Sequence, residues 1–198
     1  MKLSEDQVDY LKEIINIGIG RSANALNKIV KNRVTLKVPI LQIITFQEFN
    51  SRLESSTGNL LSIVSMDFKG DLSGKVELVF PSPSAVKIVD ILTDKAYNDL
   101  EMDQLRSSTL NEVGNIVLNS LIGTLGNLLK TRFRFSIPRF KECAINEVTR
   151  ANCSSDYFIY AETHFSVNDI NIDGRFTLFL EPQSHEHFIE LLNKSMNF

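Results

Sequence analysis

Two long segments of the chain carry apolar residues at helical spacing, one near the beginning of each half. The first opens with the string SEDQ at residues 4–7, which has the form of a capping box, and the second runs from about residue 103 to residue 130. This pattern predicts two long amphipathic helices. Their predicted inner faces are Val8, Leu11, Ile15, Gly18, Ile19, Ser22, Leu26 and Ile29 in the first helix, and Leu110, Val113, Val117, Leu121, Leu125 and Leu128 in the second.

Segments rich in β-branched and aromatic residues follow each predicted helix and indicate strands. They are residues 34–49, 59–68, 133–145 and 157–167. Each half then ends in a similar string, 71–92 in the first and 171–192 in the second, at an offset of 100 residues. Both strings predict a glycine-containing turn, an alternating strand and a short helix opened by a serine N-cap.

This order of elements favours an α+β fold over a doubly wound parallel sheet, because the strands come in runs and the helices are segregated from them. We predict a single domain over residues 1–198, made of two pseudo-two-fold related repeats at about 1–98 and 99–198. Each repeat contributes a long helix, antiparallel strands and a short helix. The helices are expected to pack on a shared sheet.

The composition is that of an ordinary globular protein, with 198 residues of which 43% are hydrophobic and 23% charged. The 21 basic and 24 acidic residues argue against a nucleic-acid partner, since proteins that bind the phosphate backbone usually carry a basic excess. No window approaches the ~18 uncharged apolar residues that a membrane span needs, and the N-terminus has no apolar signal core. We expect a cytoplasmic protein with no membrane span.

The cysteines and histidines show no metal-binding spacing. Cys143 and Cys153 form no CxxC pair, and we expect both to be free thiols. His185 and His187 are two residues apart in a predicted helix and so point in different directions, and His164 completes no ligand set with them. We therefore expect no metal site and no cofactor of the protein's own.

A line of polar residues lies opposite the apolar stripe of each predicted helix. With Asp9 at zero, Glu13 falls at roughly 40° and Asn16 at roughly −20°, whereas the stripe centres near roughly 200°. The second helix repeats the line at an offset of 99 residues, and each line is followed by a proline after twenty-two intervening residues. The first copy is Asp9, Glu13, Asn16 and Pro39, and the second is Ser108, Glu112, Asn115 and Pro138.

Other residues beside these lines are candidates for contact with a partner. Ile17 and Ile116 are either the rim of a docking patch or the edge of a wide core stripe. Gly20 follows Asn16 by one turn on the same line, where it would admit a partner's backbone, although glycine costs a helix about 1 kcal/mol relative to alanine. Asn119 stands at the equivalent position of the second helix. We expect this difference to make the two sites unequal.

The two motif helices resemble those of the CheC phosphatases of chemotaxis, in the CheC/CheX/FliY superfamily. The strings at residues 11–20 and 110–116 carry the likeness. The family motif is Asp or Ser, three residues, Glu, two residues, Asn, twenty-two residues, Pro, and both copies match it. Since both are complete, a stand-alone, two-site CheC-like protein is the nearest match. The resemblance implies a phosphatase that acts on the aspartyl phosphate of the response regulator CheY.

Within that resemblance, the residue types suggest a division of roles. A carboxamide does not titrate near neutrality, but it can accept from and donate to a water molecule and so orient it for attack on phosphorus. We expect Asn16 and Asn115 to orient the water, and Glu13 and Glu112 to pair with a lysine of the regulator. The regulator is also expected to supply Mg²⁺.

The remaining motif residues are expected to play supporting parts. Asp9 and Ser108 would support the glutamates or contact the partner, and Pro39 and Pro138 would fix the start of a strand beneath each helix. The resemblance also suggests the chemotaxis deamidase CheD as a further partner. The alternative function is a non-catalytic module that binds a receiver domain and sequesters it.

Overall fold

A computed structural model describes residues 3–29, 33–54, 60–93, 102–144, 147, 157–167 and 170–196. Cys153, the predicted strand ends at residues 59 and 145, and the side chain of Ile29 lie outside this part of the chain. The elements are α1 (Glu5–Ile29), β1 (Val34–Thr45), α2 (Phe46–Glu54), β2 (Leu60–Gly70), β3 (Gly74–Pro81), α3 (Ser82–Leu92), α4 (Met102–Leu128), β4 (Phe133–Phe135), β5 (Arg139–Ala144), β6 (Tyr157–Val167), β7 (Ile170–Leu180), a 3₁₀ turn (Pro182–Ser184) and α5 (His185–Met196).

The described strands form one antiparallel sheet in the order β1-β6-β7-β3-β2-β4, with β5 pairing with β2 beyond β4. The last strands of the two halves, β3 and β7, meet at the centre. The first strand of each half pairs with the second strand of the other half, β1 with β6 and β4–β5 with β2. The predicted shared sheet is therefore confirmed, and the two halves interlock by exchanging their first strands.

Both long helices pack on the sheet through their predicted faces. Val8 and Leu128 are partly buried at the margins of the core. Each fully buried Leu, Ile or Val contributes roughly 1.5–3 kcal/mol, so these two faces supply a large share of the stabilising burial. The predicted residues that the core buries to 4% exposure or less are Leu11, Ile15, Ile19, Leu26, Leu110, Val113, Val117, Leu121 and Leu125.

The two long helices cross where they approach each other most closely. A Cβ atom on Gly18 would lie 3.0 Å from Leu121 Cα, and the Ser22 hydroxyl, which donates to the Gly18 carbonyl at 2.9 Å, also lies 3.3 Å from the carbonyl oxygen of Val117. Because Val117 and Leu121 are the counterparts of Gly18 and Ser22 at the 99-residue offset, the pseudo-two-fold axis passes through this crossing. Gly18 thus allows a close helix contact that offsets its poor helix propensity.

The capping box at the start of α1 is present as predicted. The backbone N–H of Ser4 donates to Gln7 Oε1 at 2.8 Å, and the backbone N–H of Gln7 donates to Ser4 Oγ at 3.2 Å. Gln7 Nε2 also donates to Asn193 Oδ1 at 2.7 Å. The box therefore ties the first turn of α1 to the last helix of the chain.

The predicted strand at 34–49 is wrong beyond Thr45. There a second capping box begins α2, since the Thr45 backbone N–H donates to Glu48 Oε2 at 2.7 Å and the Glu48 N–H donates to Thr45 Oγ1 at 3.3 Å. Phe49 then packs edge-on against Phe158 at 4.9 Å between ring centroids. Alternation along β6 places Phe158 on the face away from Ile159 and the main core, so α2 covers the far face of the sheet.

The predicted serine N-caps are also wrong. In the first half, α3 begins at Ser82 after Pro81 and has no side-chain cap, because Pro83 near the helix start already fixes a helical φ. In the second half, Ser184 Oγ accepts from the backbone N–H of Ser73 at 2.9 Å. The hydroxyl therefore joins the two halves and does not cap the helix that follows.

Candidate active site

The first motif line is exposed along the outer face of α1. Asp9, Glu13 and Asn16 all face solvent, and their helix is anchored by its buried opposite face. Ile17 beside the line is 38% exposed. At Gly20 an added Cβ atom would meet nothing within 4 Å, so this end of the line is open.

The second motif line lies on the corresponding face of α4. Ser108 and Glu112 are exposed, whereas Asn115 and Asn119 are half-buried. Ile116 is partly buried and packs against the main core, so it belongs to the edge of the core stripe, unlike the exposed Ile17. The core-edge interpretation is therefore confirmed for Ile116, and the docking-rim interpretation stays a prediction for Ile17.

The polar contacts of the second line differ from those of the first. Asn119 Nδ2 donates to Asn115 Oδ1 at 2.6 Å, a contact that Gly20 cannot make to Asn16. The Ser108 hydroxyl donates to the Leu105 carbonyl at 3.0 Å, so the hydrogen bond it makes is to the backbone and not to Glu112. None of the ion pairs in the described part of the chain involves a residue of either line. The glutamates are thus available to an external cation.

The motif prolines lie at matching irregularities of the sheet. Between the pairs Lys37↔His164 and Ile40↔Glu162, residues 38–39 oppose Thr163 alone. Between Phe135↔Phe68 and Arg139↔Ser65, residues 136–138 oppose two residues of β2. Each first strand therefore contains one extra residue next to its proline, which is the arrangement of a β-bulge.

The prediction that these prolines fix a strand start must be corrected for Pro39. It lies in the middle of β1, whereas Pro138 directly precedes β5. Proline has no N–H to donate to the ladder, so a bulge on an outer strand accommodates it without loss of a hydrogen bond. At the second bulge, Ser136 N–H donates to the Asp67 carbonyl and Asp67 N–H donates to Ser136 Oγ, both at 2.9 Å.

Taken together, each line offers a carboxylate and a carboxamide one turn apart on a rigid helix. The carboxamide can accept and donate hydrogen bonds at once, and the carboxylate can bind a cation. The carboxamide is not an effective nucleophile. Such a surface can position reactants that a second molecule brings, since the helix holds both groups in fixed register.

No protein-family model matches the chain. The CheY-P phosphatase CheC of Bacillus subtilis (strain 168) is 30% identical to it over 139 residues, which cover 69% of this chain and 66% of that protein. The X-ray structure of Thermotoga maritima FliY has the same fold, with a TM-score of 0.79 at 18% identity over 98% of this chain and 100% of that chain. The chain belongs to the CheC/CheX/FliY family.

The fold is also that of a chain in the CheX-CheY-BeF₃-Mg²⁺ complex from Borrelia burgdorferi. The TM-score is 0.55 at 18% identity, over 88% of this chain and 99% of that chain. The family's mixed fold, with helices on an antiparallel sheet, matches the α+β expectation. No helix in the described part of the chain is long and apolar enough to cross a membrane.

The described histidines and Cys143 have separate surroundings. His185 Nε2 lies 3.1 Å from the Leu180 carbonyl oxygen, and His187 Nδ1 lies 3.4 Å from Glu190 Oε2, so the two rings do point apart. Cys143 is a buried free thiol, and its burial raises its pKa. Among the described residues, no group of three or more His, Cys, Asp or Glu side chains could hold a metal ion.

Sequence reasoning missed an open pocket of about 240 Å³ over one face of the paired strands β6 and β7. His164 Nδ1 and Asp173 Oδ1 are 2.8 Å apart at its margin. Alternating charged residues along these two strands are the signal that could have indicated it. Its lining residues are Pro81, Glu162, His164, Asp173, Gly174 and Arg175.

Proposed function

We propose that the chain is a protein phosphatase that hydrolyses the aspartyl phosphate of a CheY-like response regulator. The observation that carries the proposal is the duplicated line, in which Glu13 with Asn16 and Glu112 with Asn115 face outward on two helices of one fold. The similarity to a protein named CheY-P phosphatase supports it, as does the shared fold with a chain of a CheX-CheY complex.

In this proposal, Asn16 and Asn115 orient the attacking water. The carboxamide oxygen accepts a hydrogen bond from the water, while the carboxamide nitrogen donates a hydrogen bond to the phosphoryl group. The water is then held in line with the bond from phosphorus to the aspartyl oxygen. Positioning of this kind accounts for much of the catalysis in phosphoryl transfer, where the protein contributes little covalent chemistry.

Glu13 and Glu112 set the register by pairing with a lysine of the regulator. A carboxylate and an ammonium form a charge-assisted hydrogen bond, which fixes direction as well as distance. Asp9 lies one turn earlier on α1 and would contact the partner or support Glu13. Mg²⁺ belongs to the phosphorylated regulator as part of the substrate, where it neutralises phosphoryl charge.

Docking would use the open end of the first line. Ile17 offers exposed apolar surface there, and Gly20 leaves space for a partner's backbone. A docked receiver would exclude water from the reacting group and so strengthen the polar contacts within the site. Binding of the deamidase CheD remains a prediction from the resemblance, and none of the contacts described above bears on it.

The proposal is tested by measuring phosphate release from a Mg²⁺-dependent phosphorylated CheY-like receiver. We expect N16A/N115A to slow release at least 100-fold while the receiver still binds, because the water loses its orienting group. The matched control is N127A, which removes an exposed asparagine of α4 that lies about 100° from Ser108 around the helix axis and so outside the second line. It should retain wild-type rates.

The competing function makes the opposite prediction. If the protein only sequesters a receiver, the N16A/N115A variant should bind the receiver normally. Even the wild type should then release no phosphate above the receiver's own rate. Wild-type rates in the double variant would contradict the catalytic assignment. Loss of both binding and activity, with an unchanged unfolding transition, would place the two asparagines in docking and not in catalysis.

A further inference from the structure

The two motif lines differ at one position that the pseudo-symmetry makes equivalent. Gly20 lies four residues after Asn16, and Asn119 lies four residues after Asn115. Residues four apart on a helix are neighbours on one face. Because helical side chains lean toward the N-terminus, residue 119 reaches back over residue 115. The second line thus has a side chain above its asparagine where the first line has none.

The Asn119 side chain contacts the Asn115 carboxamide, which orients the attacking water in the proposed function. Its Nδ2 donates to Asn115 Oδ1 at 2.6 Å. A carboxamide oxygen has two lone pairs, and here one of them is taken and the plane of the Asn115 carboxamide is held toward Asn119. Asn16 lacks this restraint, because glycine at position 20 has no side chain.

Access to the two asparagines differs in the same sense. Asn16 is exposed and Asn115 is half-buried. A Cβ atom on Gly20 would have open space within 4 Å, which shows that the first line could accept a side chain there without a clash. The side chain that covers the asparagine of the second line is therefore a difference in residue type between Asn119 and Gly20.

We propose that Asn119 is a positioning residue that holds Asn115 in a resting orientation and makes the second site the slower of the two. The proposal rests on the proposed function, since it assigns the Asn115 carboxamide to the water. A docked receiver must draw the carboxamide away from Asn119 before the water is oriented. The restraint acts on the chemical step, so it lowers kcat at the second site and leaves KM nearly unchanged.

Single-site variants isolate the effect. In an N16A background, which leaves the second site, N119A should raise kcat about 2- to 10-fold, the range that loss of one hydrogen bond allows. In an N115A background, which leaves the first site, the reciprocal G20N should lower kcat by a similar factor, and any accompanying rise in KM would report the loss of the space that Gly20 leaves for docking. Both substitutions improve or maintain helix propensity, so folding is not at risk.

The outcomes separate this inference from the proposed function. If N16A/N115A keeps wild-type activity, the proposed function fails and the inference with it. If that double variant is inactive but N119A leaves kcat at the second site unchanged or lowers it, the inference alone fails, and a lowered kcat would mean that Asn119 prepares Asn115 for reaction. A change confined to KM would assign Asn119 to docking and would also overturn the inference.

Discussion

The helices α1 and α4 carry the same polar line, but each packs closely against the rest of the fold at a different glycine. On α1, Gly18 admits Leu121 of the partner helix, where a Cβ atom would come within 3.0 Å of the Leu121 Cα. On α4, Gly114 admits Val64 of β2, where a Cβ atom would lie 2.3 Å from the Val64 Cγ1. At the 99-residue offset, the counterparts of these glycines are Val117 and Ile15, and both are buried.

This difference separates packing from chemistry. The residues that allow each helix to pack closely differ between the halves, so the repeat does not require them to match. The glutamate and asparagine of each line, by contrast, occupy equivalent positions, although they are largely or partly solvent-accessible and anchor neither helix to the core. Packing therefore does not explain why these residues recur, whereas the proposed contact with a receiver would.

The largest expected effect comes from reversing charge in both lines. E13K/E112K should lower kcat/KM more than 100-fold, because each lysine would repel the lysine of the regulator that we propose the glutamates bind. Phosphate release at several receiver concentrations would measure it. The matched control is E5K/D103K, which changes net charge equally in the first turns of the same helices and should keep most activity. Similar losses in both variants would indicate long-range charge and not a defined pair.

Local sequence patterns predicted the parts of the molecule that local physics determines. The apolar stripes, the SEDQ capping box and the outward lines depend on residues within a few turns of one another. The Thr45 to Glu48 box and the bond from Asn119 to Asn115 are equally local, and helix spacing alone could have indicated them. Their omission reflects incomplete use of the sequence.

Other features depend on contacts between distant segments and could not be predicted in this way. The exchange of first strands between the halves depends on pairing and register between residues 63 to 133 positions apart in the chain. The bulges at Pro39 and Pro138 become visible only when that register is known. In the sequence Gly114 is only a residue of low helix propensity, because its contact with Val64 of β2 depends on the tertiary fold. The serine hydroxyls expected as caps include one, Ser184, that serves a contact with the other half.

The close packing of α4 on β2 at Gly114 predicts the largest change in stability. G114A should lower the free energy of unfolding by about 1–3 kcal/mol, because the added methyl group overlaps Val64, whose own side chain is buried in the core. Urea unfolding would measure it. In the same helix, G123A is the control, since nothing lies within 4 Å of its Cβ position, and we expect it to stabilise by up to about 1 kcal/mol. Equal changes in the free energy of unfolding for G114A and G123A would show that helix propensity, and not contact with β2, determines the effect at both positions.

The close packing of α1 on α4 at Gly18 predicts a smaller change in stability. G18A gains about 1 kcal/mol of helix propensity but forces α1 and α4 apart at the crossing, where the nearest atom is backbone. We expect a net loss of about 1 kcal/mol in urea unfolding. The control G20A, at an open position of the same helix, should stabilise by about 1 kcal/mol. Its activity would also report how much space the receiver needs there.

The smallest change in the free energy of unfolding at neutral pH is expected at the centre of the sheet. There β3 pairs with β7, and Glu77 lies opposite Thr177. Burial raises the pKa of the Glu77 carboxyl, while Lys75 and Lys141 lower it and so offset part of that effect. A carboxyl whose pKa is raised by folding stabilises the protein when protonated, and this contribution is lost as the pH rises from its usual value of 4.5 through the raised value. E77Q should therefore be more stable than the wild type at pH 7, and this gain should disappear below pH 4.5. A gain that persists in acid would mean that shape and not charge distinguishes the two halves at this position.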